Sequence, residues 1–375
     1  MGEGLQGLEG SRWQEIQSRY EAWWQGEMLD RVLIAIQAPR KSLPEPVIAS
    51  EDELQRYWTD PDTVLAREEE RVAATYYCGD AFPCIVPVRT GMVAILALFL
   101  GAPGRFVDTR TVWSEPIIED WATRPPLRFD PENRWWQIAQ RLLAEGAKRA
   151  VGKYCVAIPD LNGPGEILAR LRGPDRLAID LLENPEQIPP ALAEINQAWF
   201  RYFEACHGIV HQYVPGYVNW MGLWSQLPAT DLQTDFSIMI SEQMFERFFL
   251  PFIEEQTRLV PRNVYHLDGP GAARHLDLLL DLPGLGAIQW VPGAGAPPVS
   301  AWLPLLRRVQ ARGKRLVLHC ESWEVPILLE ELEPEPLFLS TWCACPEDAD
   351  ALLALATKLS QKRKWLAPLA QSGHS

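Results

Sequence analysis

His266 and Asp268 stand two residues apart at the end of the run Val264-Tyr265-His266-Leu267-Asp268-Gly269, and His319 and Glu321 repeat that spacing at the end of Leu316-Val317-Leu318-His319-Cys320-Glu321. Side chains alternate along a strand, so each pair sends its imidazole and carboxylate to one face. Such a pair can move a proton or ligate a metal, with Glu321 orienting His319; it can also be a hydrogen-bonded pair that ties a strand end to a loop. Two further apolar runs end in the same manner. Ala287-Ile288-Gln289-Trp290 adds an amide and an aromatic wall, and Phe338-Leu339-Ser340-Thr341-Trp342-Cys343 adds a thiol. Cys343-Ala344-Cys345 is too closely spaced for both thiolates to bind one ion without strain, so one of them is expected in the site, Cys343 if the strand reaches it. Two packed, unreactive thiols are the other reading, and Cys320, on the opposite face of its strand from His319, reads as a packed thiol.

The elements that must position these residues follow from the rhythm of the chain. Each run is about the length of a buried strand, and helix-length amphipathic segments separate them, the pattern of a parallel α/β sheet. Sites in such sheets lie beyond the carboxyl ends of the strands. Earlier segments extend the alternation: a helix to about Gly26 with Ser11 as its cap, a strand at Val32-Leu33-Ile34-Ala35-Ile36, a helix started by Ser50-Glu51-Asp52-Glu53, a buried helix over 91–100, and strands at Tyr154-Cys155-Val156-Ala157-Ile158 and Tyr217-Val218-Asn219-Trp220. A final helix spans 349–362. The count of strand-then-helix units is close to eight, which predicts a (β/α)8 TIM barrel over 27–365, preceded by an N-terminal helical extension at 1–26 and followed by a flexible tail at 366–375.

Composition narrows the function classes. A formal net charge of -14 repels nucleic-acid phosphates and anionic membranes, so neither is an expected partner. The stretch from Met92 to Leu100 is the longest apolar one, well short of the roughly 18 residues of a membrane span. No basic start followed by an apolar secretory segment is present, and a cytoplasmic location is expected. Seven scattered cysteines, an odd number, predict reduced thiols. Sixteen tryptophans, several beside polar strand ends, would suit an aromatic pocket wall, with Trp220 among its candidates. Gly163-Pro164-Gly165 and Gly293-Ala294-Gly295 lack the spacing and lysine of a phosphate loop, and no nucleophile elbow of a hydrolase is visible.

With these segments placed, the chain resembles the uroporphyrinogen decarboxylase superfamily, which also contains corrinoid-dependent methyltransferases. The resemblance runs from about Trp23 to Leu359. It is carried by Glu21-Ala22-Trp23-Trp24 with Asp30-Arg31, Pro159-Asp160-Leu161-Asn162-Gly163-Pro164 with Gly173, Gln233-Thr234-Asp235-Phe236-Ser237 leading into Ser241-Glu242-Gln243-Met244-Phe245, the His266 strand, and the Thr341 to Glu347 segment. It implies that Asp160, Asn162 and Asp235 bind the substrate, with a helix cap as the other reading of each. The decarboxylase branch carries an N-terminal Arg-Gln-Ala-Gly-Arg type segment; Ala38-Pro39-Arg40-Lys41 stands there instead, which counts against uroporphyrinogen itself.

The methyltransferase branch carries zinc on a His-x-Cys pair and a later cysteine. By that resemblance His266, Asp268 in the position of the first cysteine, and Cys343 (or Cys345) would hold zinc. The implied activity is a zinc-assisted transfer of a methyl group between a corrinoid and a small acceptor, with a corrinoid protein as partner. A metal-free decarboxylase or lyase acting on a tetrapyrrole or other carboxylic acid is the alternative, and a ligand-binding barrel without turnover the second.

Overall fold

The computed structural model describes residues 8, 10–89, 91–92 and 94–371, with side chains as far as residue 361. Of the expected extension, residues 1–7 and 9 lie outside the described residues, as do residues 372–375 of the expected tail. The last helix runs Pro346–Gln371, beyond its expected end at 362. No helix among the described residues is long and apolar enough to cross a membrane.

Of the thirteen strands among the described residues, nine position the site: β1 (Leu33–Pro39), β2 (Thr75–Gly79), β3 (Cys84–Ile85), β4 (Cys155–Val156), β5 (Ala229–Gln233), β6 (Arg262–Asp268), β7 (Ala287–Val291), β8 (Arg315–His319) and β9 (Leu337–Trp342). Seven form one sheet in the order β2-β1-β9-β8-β7-β6-β5, parallel throughout except for the β1–β2 pair. Strands β3 and β4 make a separate parallel pair, which a single bond from Ile158 N to the Val218 carbonyl joins to a short hairpin (3.3 Å). The architecture is mixed α/β with a largely parallel sheet, as the strand-helix rhythm predicts. Its ladder does not close into a continuous ring among the described residues. Proline explains where it thins: Pro83 and Pro87 flank β3 and Pro159 follows β4, each lacking a ladder donor.

Alternation along the strands separates two packed regions. One face packs Leu33, Ala35, Val264, Ala287, Val317 and Phe338 against one another. The other face, with Ile34, Ile36, Tyr265, Leu267, Leu318 and Leu339, buries against the helices. Each large aliphatic side chain buried this way stabilises the fold by about 1.5–3 kcal/mol before entropy is counted.

The N-terminal helix, Ser11–Gln25, lies across the amino ends of the strands. It starts one residue after Gly10, so Ser11 is its first residue rather than its cap, and it ends at Gly26 in the left-handed region (φ 79°). Its buried Trp23 and Trp24 sit against the inner face, and their carbonyls accept from the first residues of two strands: Arg315 Nε to Trp23 O (2.7 Å) and Arg262 Nη1 to Trp24 O (2.6 Å). Cations there complement the negative end of the helix dipole. Asp80, fully buried, ties this end together by accepting from Arg31 Nη1 and Nη2 (2.5 and 2.9 Å), from the Ile34 amide (3.0 Å) and from Arg19 (3.4 Å).

Candidate functional site

At the carboxyl ends of the strands the inner face turns polar. His266 of β6 lies opposite Gln289 of β7 and Gln233 of β5. Its Nδ1–H donates to Gln289 Oε1 at 2.5 Å, which assigns the Nε2 lone pair to a ligand. The Trp220 indole meets the imidazole edge to face at 5.7 Å. Asp235 opens a one-turn helix, Asp235–Met239, directly after β5. That turn is fixed by Glu166, in the first turn of helix Pro164–Arg172, which accepts from Phe236 N (3.0 Å) and pairs with Arg170 (3.1 Å). One ligand atom each from Asp235, His266 and Asp268 lies within 4.8 Å of the others. Ions bound at about 2.0–2.2 Å bring their ligands closer than that, a gap that rotamer adjustment of two carboxylates spans.

The surroundings are acidic and poorly hydrated. Burial raises the Asp235 carboxyl to about 6, with Glu166 and Asp268 pushing the same way and His266 opposing them. Asp160 is driven well above the usual carboxylate range, first by burial and then by Asp231. Burial raises Asp231 as well, against the favourable influence of Trp220, Asp160 and His266. Burial and their mutual repulsion thus bias this pair toward carrying a proton. His319 faces an open cavity but is ringed by protein; that desolvation, with His266 nearby, lowers its pKa to about 4.

Three cavities meet at this rim. A small one of about 180 Å³ adjoins Asp160, Asn162, Trp220, Gln233, Asp235 and His266. A second, about 330 Å³, shares Trp220 and reaches Gln37, Arg71, Tyr77, Arg89, His319 and Trp342. A wide mouth of about 800 Å³ is edged by Asp268, Pro292, His319, Glu321, Trp323 and Trp342.

The sequence-derived site residues thus fall into two groups. His266, Asp268 and Asp235 converge; Asp160, Asn162 and Trp220 line the adjoining cavity; Gln289 holds the imidazole; His319 lines the second cavity and the mouth. Cys343, Trp290 and Glu321 take other roles. On β9 the inner face carries Phe338, Ser340 and Trp342, so Cys343 falls on the helix-facing side, where it is buried in the outer core and burial raises its thiol. It is not part of the metal-spaced group among the described residues, where Asp235 stands instead. Cys345 adjoins the start of the last helix, its carbonyl accepting from Ala349 N (3.2 Å). Trp290, one residue from the inward Gln289, faces outward, fully buried against Trp302 at 5.0 Å. Glu321 reaches the mouth but lies beyond the end of β8 and caps the turn Ser322–Glu324 in a reciprocal box with Glu324. Cys320 is packed as expected, its thiol raised by burial.

Sequence reasoning missed Asp231 and Glu166. Asp231 had a signal, since Ala229, Asp231 and Gln233 alternate on one face of β5, with no apolar contrast to mark it. Glu166 had only its place in the first turn of a helix after Gly163-Pro164.

No protein-family model matches the sequence, and no curated protein matches it. Among solved structures, a methyltransferase from Methanosarcina mazei has the same fold, with a TM-score of 0.58 at 12% sequence identity over 92% of this chain and 98% of that one.

Proposed function

We propose that this protein is a methyltransferase of the uroporphyrinogen decarboxylase-like superfamily, with its strands arranged as a (β/α)8 barrel over 27–365 behind an N-terminal extension. In this reading it is a zinc-assisted enzyme that moves a methyl group between a corrinoid and a small acceptor. The observation that carries it is the convergence of Asp235, His266 and Asp268 at the strand ends, on a fold shared with a methyltransferase. One imidazole and two carboxylates fit a three-ligand zinc site with an open position. Bound there, zinc would lower the pKa of an acceptor thiol or hydroxyl.

The chain's own residues do the rest. Gln289 fixes the His266 tautomer, and Glu166 holds the Asp235 turn. His319, kept neutral, is available to accept a proton from an acceptor entering by the mouth. The exposed Trp323 and Trp342 edge that mouth (56% and 55%) and suit a partner surface, here a corrinoid protein. Zinc content of purified protein, set against methyl transfer from methylcobalamin to a thiol before and after chelation, tests the reading. Full transfer by zinc-free protein would sink it.

A second reading has its own support. Asp160 and Asp231, biased by burial toward the neutral form, could deliver a proton to a carbanion, the step that ends a decarboxylation, so a metal-free lyase acting on a carboxylic acid is the competing proposal. Carbon dioxide release from a panel of small acids distinguishes it.

A further inference from the structure

The chamber of about 330 Å³ carries cations in its wall. Helix Pro61–Ala74 contributes Arg71, and Arg89 reaches it from the segment that follows β3. Both guanidiniums flank Glu68, which is 2% exposed: its Oε2 accepts from Arg71 Nη2 (2.9 Å) and from the Val86 amide (3.2 Å), and its Oε1 lies 3.8 Å from Arg89 Nε. A third guanidinium, Arg67, packs over the ring of Tyr57, whose hydroxyl accepts from Arg89 Nη1 (3.1 Å). Burial, and then Arg89, lowers the Arg67 pKa, as expected of cations held together. Glu68 is the one acidic residue in the chamber's lining among the described residues, so positive charge is in excess there although the chain as a whole carries -14.

These donors are open to a visitor. Arg71 Nη2 also donates to the Cys84 carbonyl (2.7 Å), but Arg71 Nε and Nη1 and Arg89 Nη2 make no hydrogen bond among the described residues. None of the three is a buried atom, and the two side chains keep 38% and 36% of their surface. Phe82, Trp220 and Phe338 supply the apolar part of the wall. Trp220 also lines the small cavity beside His266, and His319 and Trp342 line both the chamber and the mouth.

We propose that this chamber is a subsite for an organic carboxylate of one-ring size, whose oxygens accept from Arg71 and Arg89 while its apolar body packs among Phe82, Trp220 and Phe338. The proposal deepens the reading of this rim as the reaction site, on which it rests, by naming a substrate class. Guanidiniums bind a two-oxygen acceptor through charge-assisted bonds, and a neutral molecule of the same shape would leave the excess charge unanswered. Inorganic phosphate satisfies the arginines but leaves the aromatic wall without contact. At about 30 Å³ per water-sized group, the chamber admits roughly eleven non-hydrogen atoms, enough for a single ring and its carboxyl group. Neither arginine belongs to Ala38-Pro39-Arg40-Lys41 at the end of β1, so the anchor stands on other elements than that segment.

The test is calorimetric titration of the full chain, zinc-free and zinc-loaded, at pH 7.5 with sodium benzoate, benzamide, acetate and inorganic phosphate. Benzoate should bind at least tenfold more tightly than each of the other three, a comparison that needs no variant. Arg89→Met keeps the length of the side chain and removes the guanidinium, so it should fold, as circular dichroism will show, and weaken benzoate about 10- to 100-fold. Arg89→Lys, which keeps the charge and loses the fork, should fall between. Arg40→Met, outside the chamber's lining, should bind benzoate as the parent does. Benzamide, acetate or phosphate bound as tightly as benzoate, an Arg89→Met protein that binds as the parent does, or an Arg40→Met protein that loses benzoate would overturn the proposal. A chain that binds benzoate but no zinc refutes the metal reading alone; one that binds zinc but does not prefer benzoate refutes this subsite alone.

Discussion

Replacing Gln289 with Leu should weaken zinc binding by about 10- to 100-fold. Gln289 is 1% exposed, and its Oε1 accepts the His266 Nδ1–H at 2.5 Å. That contact does two things for a ligand at Nε2: it fixes the tautomer that leaves Nε2 unprotonated, and it holds the ring in one orientation. Leu is close in volume, so packing changes little while the imidazole loses its orienting partner and can present either nitrogen. The cost of losing such an outer partner, 10- to 100-fold, corresponds to about 1.4–2.8 kcal/mol. Competition for zinc against a chromophoric chelator measures it. Gln289→Glu is the internal control, because a carboxylate acceptor keeps the contact and should bind zinc at least as well as the parent. A Gln289→Leu protein whose zinc affinity lies within threefold of the parent's would refute the claim that His266 acts through Nε2 as a ligand.

Asp235, raised to about 6 from an ordinary 3.8, should make zinc uptake fall as pH drops through about 6, visible in the same competition at pH 5, 6 and 7. The sign for the metal-free protein is the reverse: the raised folded pKa contributes stability that is complete below the unfolded value and is lost as pH rises through about 6. Asp235→Asn should therefore raise the melting temperature at pH 7.5 and leave it unchanged near pH 3. Cys343→Ala should leave zinc stoichiometry unchanged, since the thiol lies in the outer core; loss of the metal would return Cys343 to the site. Asp80→Ala, which strands Arg31 beside the N-terminal helix, should lower unfolding stability by about 3–5 kcal/mol in urea.

Much of the frame could be read from the chain because period-two alternation and helix spacing are local properties. The strands around His266, Gln289 and His319 end where their apolar runs end. What could not be read was which face of each strand looks inward. Gln289 and Trp290 are adjacent, so only one can face the site, and the register with β6 decides for Gln289. The same parity removes Cys343, which the pairing of Ser340 with His319 turns away. Asp231 escaped because β5 is polar on its inner face, the reverse of the usual contrast. Asp235 reaches His266 and Asp268 through a turn held from another helix by Glu166, a contact across 70 residues of sequence.

The N-terminal helix, seated under the strands by Arg262 and Arg315, makes the chamber a cul-de-sac. With Trp23 and Trp24 stopping that end, the methyl donor and acceptor of the proposed reaction would share the doorway edged by Trp323 and Trp342. Two visitors too large to pass must take turns. Traffic of that kind appears in steady-state kinetics as mutual competition, each substrate inhibiting at high concentration by holding the doorway against the other.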